Sequence, residues 1–174
     1  MNLSHLSGLK AYALTLIIPL IILGCHSVDD ERIPYSEVHL VFTTVADWNI
    51  HGVKGDAADY GRYIYNPATG TRLPADFPYN TMSRTGYGGI LLVNDALGSP
   101  VAYDLACPYE ARPATRIEVP EGELFAVCPE CGSTFDIYTN HGNPRSGPAA
   151  REGYALQRYS VISGGALEYR VVTR

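Results

Sequence analysis

Beyond its first two dozen residues, the chain alternates apolar and polar side chains with a period of two. Val38 to Thr44 (VHLVFTT) is the clearest case, alternating and rich in β-branched residues. Similar short segments follow at Val101 to Ala106, Thr115 to Val119, Glu123 to Cys128, Ser133 to Tyr138, Leu156 to Ile162 and Ala166 to Val172. Gly89 to Asn94 (GILLVN) is an apolar run after a glycine-rich approach, TGYGG, and reads as a further short strand. Turn residues separate the segments at Asn94 to Pro100, Pro120 to Gly122, Asn140 to Pro144 and Ser163 to Gly165. No stretch of a dozen residues after the leader sustains a 3.6-residue period, so no long helix is expected. The pattern predicts an all-β fold, an antiparallel sandwich or small barrel. Ala46 to Ser83, rich in Asp, Asn, Gly, Pro and Tyr, reads as long loops with one strand near Tyr63 to Tyr65, and Trp48 as a packing residue in a loop.

The N-terminus follows another rule. Lys10 precedes an apolar run from Ala11 to Leu23, 13 residues long. A membrane-spanning helix needs about 20 residues, so the run reads as the hydrophobic part of a signal peptide. It ends in Ile22-Leu23-Gly24-Cys25, which resembles a lipobox. The resemblance implies cleavage after Gly24 and acylation of Cys25, which would hold the protein on a membrane through lipid. Residues 1–24 are then a signal peptide, 25–34 a polar tether and 35–174 one domain. The acidic stretch His26 to Arg32 is similar to surface-export signals of Bacteroidetes-type lipoproteins, implying an outer-membrane lipoprotein at the cell surface or facing the periplasm. Without the leader the chain carries 12 basic and 18 acidic residues, a net charge of −6, which argues against nucleic acid as a partner.

Three further cysteines carry the candidate chemistry. They lie in two short turns, Cys107-Pro108-Tyr109-Glu110 and Cys128-Pro129-Glu130-Cys131-Gly132, each after an expected strand. Thiolates spaced i, i+3 on a tight turn can converge on one centre. The second turn continues as Gly132-Ser133-Thr134-Phe135-Asp136. Gly142-Asn143-Pro144, the Gly147-Pro148-Ala149 loop, and Leu156, Tyr159 and Val161 follow in order. The series from Gly88 to Val172 resembles the Rieske iron–sulfur domain. That resemblance implies a small cysteine-loop subdomain on the β fold, with the two cysteine turns and the Gly147-Pro148-Ala149 loop side by side. It also implies Asp136 as a residue that ties down a turn.

The ligand positions depart from the family. A Rieske [2Fe–2S] cluster takes two cysteines on one iron and two histidines on the other. Here Tyr109 and Cys131 stand where the resemblance implies histidine, and His39, His51 and His141 lie elsewhere in the sequence. Four fates of the thiols stay open. A [2Fe–2S] cluster could use Cys107, Cys128 and Cys131 with an oxygen ligand from Tyr109 or Glu110. Zinc or a single iron could use the three cysteines and Glu110. Two cysteines could form a disulfide, as exported proteins permit. The thiols could also stay free, or Cys128 and Cys131 could act as a redox dithiol. Nothing in the sequence forms a catalytic constellation. Two functions follow: a degenerate domain without a standard cluster, acting as a binding or structural module, or an electron carrier for an unidentified redox partner. Loss of both histidines favours the first.

Overall fold

The computed structural model describes residues 27–55, 59–164 and 169–174. The leader, Cys25 and residues 166–168 of the last expected strand lie outside them. Eleven strands and two helices follow in order: β1 (Val38–Phe42), α1 (Val45–His51), β2 (Tyr60–Asn66), β3 (Thr71–Leu73), β4 (Arg84–Thr85), β5 (Ile90–Asn94), β6 (Pro100–Asp104), β7 (Ala126–Val127), β8 (Thr134–Asp136), β9 (Asn143–Ser146), α2 (Gly147–Glu152), β10 (Arg158–Ser163) and β11 (Tyr169–Val172). The all-β expectation holds. Eight strands form one antiparallel sheet in the order β3-β2-β5-β6-β10-β11-β1-β4, and β7-β8-β9 form a second, small sheet.

The large sheet curls into a half-barrel. Its far strand, β4, comes back towards β2, where Tyr65 N–H donates to Thr85 Oγ1 at 3.0 Å. Curling gives the sheet an inner and an outer face, and β5 serves both. Ile90 and Leu92 pack inward with Leu40, Phe42, Tyr63, Phe77 and Val171. Leu91 and Val93 pack outward with Tyr103, Leu105, Ile117, Phe135 and Leu156, beneath the small sheet. All five β5 residues are therefore buried, which accounts for the unbroken apolar run. β1, covered on one face, alternates instead.

Three expectations need correction. Ala46 to Ser83 is not long loop: it holds most of α1, the seven-residue β2 and β3. A capping box starts α1, with Thr44 Oγ1 accepting from Asp47 N at 3.0 Å and Asp47 Oδ2 accepting from Thr44 N at 3.1 Å. Trp48 thus sits on a helix, its ring stacked on Tyr169 with centroids 3.9 Å apart. Gly147-Pro148-Ala149 is the first turn of α2 rather than a loop. Thr115 to Val119 is not a strand, because it changes partners midway. It bonds to the chain before Cys107 at first (Cys107 N to Thr115 O, 2.9 Å; Ile117 N to Leu105 O, 2.8 Å). It then pairs at Glu118 with Val127 (2.8 and 2.7 Å). That change of partner makes residues 115–119 a splint between the segments that lead into the two cysteine turns.

Candidate metal centre

The two cysteine turns share one backbone design. In each, the fifth residue returns its N–H to the cysteine carbonyl, Ala111 to Cys107 and Gly132 to Cys128, both at 2.9 Å. In each, that residue has positive φ, 49° at Ala111 and 69° at Gly132. The proline after each cysteine lacks an N–H, and the next amides turn toward sulfur. Tyr109 and Glu110 N–H face the Cys107 sulfur, and Glu130 and Cys131 N–H face that of Cys128. The turns are thus a matched pair, with Glu110 in the first at the place of Cys131 in the second.

The splint sets the turns side by side. Cys107 Sγ and Cys131 Sγ are 3.7 Å apart, and all three sulfurs lie within 4.8 Å of one another. Cys107 and Cys128 are fully buried and Cys131 partly so, and none is in a disulfide. Burial pushes the Cys107 and Cys128 thiols up from their ordinary range. Burial would raise Cys131 as well, but the Ser133 hydroxyl and amide, with the neighbouring thiols, bring it below the ordinary value. The Ser133 hydroxyl is fixed from behind: it accepts from Ala149 N–H at 3.0 Å and lies 3.2 Å from Cys131 Sγ. Gly147 permits this approach, since a Cβ there would fall 2.7 Å from the Ser133 Cα. The first turn of α2 therefore lies against the second cysteine turn, beside the sulfurs as the resemblance implies.

The other candidate residues are not brought in. The Glu110 carboxylate is taken by Arg112, with Oε2 3.0 Å from Nη2. Tyr109 is 40 % exposed. Among the described residues, no histidine, aspartate or glutamate joins the three sulfurs. His39 lies on β1, His51 at the end of α1 and His141 in the exposed loop after β8. The set does not fit a Rieske cluster, whose second iron takes two imidazoles. Ligands on different irons are also separated by the whole Fe2S2 rhomb, whereas Cys107 and Cys131 almost touch.

One supporting residue was not singled out from sequence. Asp104 is buried at the end of β6, three residues before Cys107. Its carboxylate accepts from Tyr87 N–H (2.8 Å), Gly88 N–H (2.9 Å), Ala106 N–H (2.6 Å) and the Tyr159 hydroxyl (2.5 Å). Burial pushes its carboxyl up against those four donors. Asp104 therefore ties β10 and the approach to β5 to the base of the first cysteine turn. An apolar-framed Asp ending a strand, in VAYDLA, was the available signal. Compared with known proteins, the chain matches no family model, no curated protein and no solved structure.

Proposed function

We propose that this chain is an extracytoplasmic lipoprotein, anchored through Cys25, whose Rieske-like domain carries no standard [2Fe–2S] cluster and serves as a binding or structural module of the cell envelope. The observation that carries this reading is the 3.7 Å approach of Cys131 to Cys107. Cys131 occupies the position of a second-iron ligand in the resembled family, yet it shares a centre with a first-iron ligand. Tyr109 at the other such position is exposed and bears a phenol instead of imidazole. The Ile22-Leu23-Gly24-Cys25 sequence supports the anchor.

The second reading is an electron carrier with an unusually ligated cluster. The amides turned toward Cys107 and Cys128 favour it, because hydrogen bonds to ligating sulfur help set a cluster's potential. One preparation separates the two. The full chain is extracted anaerobically from membranes in detergent, without chelators, and iron, acid-labile sulfide and zinc are counted per chain. Absence of labile sulfide is expected, and two irons with two sulfides would sink the cluster-free reading. Mass spectrometry of the mature chain should find its N-terminus at Cys25 with a lipid mass on it, and Cys25→Ala should abolish both. A processed N-terminus at Cys25 that carries no lipid would sink the lipid anchor.

A further inference from the structure

The geometry points to Cys107, Cys128 and Cys131 as a three-thiolate site for one zinc-class ion, with its fourth position supplied from outside the protein's acidic and histidine side chains. The inference rests on the reading that no two-iron cluster fills the site. Four observations carry it.

The first is spacing. A zinc–sulfur bond of about 2.3 Å puts two sulfurs of a tetrahedral ion about 3.8 Å apart. Cys107 and Cys131 Sγ are 3.7 Å apart, and Cys128 Sγ lies within 4.8 Å of both. The second is the number of donors aimed at sulfur. Backbone N–H groups of Tyr109, Glu110, Glu130, Cys131 and Ser133 face the three sulfurs, and the Ser133 hydroxyl, which accepts from the Cys131 thiol at 3.2 Å, can donate to that sulfur once it is a thiolate. A neutral thiol is a weak acceptor and gains little from such donors. Thiolates gain much, and three thiolates around a divalent ion leave one negative charge for those dipoles to offset.

The third is the pairing of two like turns from separate segments, held in register by the 115–119 splint. An ion bridging them would close the loop between Cys107 and Cys128 in the folded state. The fourth is the break in the pairing. Where the second turn has Cys131, the first has Glu110, and that carboxylate is held away by Arg112. Three protein ligands with an open position is the arrangement of zinc sites that exchange their fourth ligand. Cys131, the partly exposed member, marks the side from which a water or small ligand enters. Binding exchanges three S–H bonds for three metal–sulfur bonds and releases three protons, with no change of oxidation state.

The test uses the full chain in detergent, reduced and freed of metal, titrated with zinc and then with cobalt(II). The expected result is one ion per chain, protection of three thiols from an aromatic disulfide reagent, and a tetrahedral cobalt spectrum with sulfur-to-metal charge transfer. Added imidazole should shift that spectrum by filling the fourth position. Ser133→Ala should weaken zinc binding by about tenfold, as loss of a hydrogen bond to a ligand does. Glu110→Cys should give a four-thiolate spectrum insensitive to imidazole, and it tests the site without deleting a ligand.

Four results would overturn the inference, the last of them in its fourth position alone. Three free thiols that bind neither ion in a chain folded by circular dichroism would do so and leave the cluster-free reading standing. A disulfide between two of the three cysteines in protein alkylated directly from the envelope would do the same. Two irons and two labile sulfides would overturn both. A cobalt spectrum unmoved by imidazole in the native sequence would overturn the open fourth position.

Discussion

Ala111 occupies a conformation that glycine holds in the matching turn. A left-handed backbone costs a residue with a Cβ roughly 1–2 kcal/mol, and Ala111 sits there at φ 49°. Ala111→Gly should therefore raise stability by about 1 kcal/mol, less the entropy a glycine adds to the unfolded chain, read as a later midpoint in urea. Asp104→Asn should act the other way and more strongly. Each Asp104 oxygen accepts at least one backbone N–H, so an amide NH2 must face a donor on one side. A loss of about 3 kcal/mol is expected, and a loss under 1 kcal/mol would show that this node does not hold the site. Asp136 contributes to the pH dependence. Partial burial would raise its pKa, but the Thr139 hydroxyl and the amides of Thr139, Asn140 and Tyr138 bring it below the ordinary value. A folded pKa below the unfolded one contributes stability above the unfolded pKa, lost as pH falls through the folded one. The stability deficit of Asp136→Asn should hold near neutral pH and shrink below about pH 4. A deficit unchanged through the acid range would count against it. At this scale the cysteines were legible, because C-P-x-x spacing is local. Their support was not, because Ser133 meets Ala149 and Asp104 meets Tyr159 only once the chain has folded.

Among the elements, pairing alone did not decide legibility. β1, β5, β6 and β10 each pair with a strand on both sides and their sequences declare them, whereas β2, also paired on both sides, opens on Tyr-Gly-Arg and showed only Tyr63 to Tyr65 as strand. The stretch 115–119 has the same alternation but is handed from one partner to another after a single bridge, so a strand-like sequence makes no ladder. The helix α1 was missed for another reason. At seven residues it is too short for periodicity to show, yet Thr44-Val45-Ala46-Asp47 bears the start signal of a capping box, and α2 has Pro148 in its first turn and Gly153 at its end. Short helices announce themselves by their ends.

For the whole molecule, the half-barrel and the small sheet share one apolar layer, with Cys107 and Cys128 inside it. An ion bound there stabilises the packing between them as well as the turns. At a hundredfold excess over its Kd, zinc should raise unfolding free energy by about 2.7 kcal/mol. For a domain of this size the corresponding rise in Tm is roughly 5–10 °C. Thermal unfolding with zinc and with a chelator measures it, and coincident melts would count against the site. The two expected functions share this architecture; the sequence could not choose between them because the choice lies in distances between sulfurs from separate turns.

The first described residues are already part of the fold. Asp29 N–H donates to Gly153 O at 2.9 Å, Ala155 N–H donates to Asp29 O at 2.8 Å, and Arg174 reaches Asp30 at 2.9 Å. On the proposed anchor, three residues lie between the lipidated Cys25 and the pinned Asp29, four steps of about 3.5 Å for an extended chain. That leash reaches at most about 14 Å. The domain would ride close on the headgroups rather than sway above them, with the end of α2 turned to the lipid and the cysteine turns near its other end.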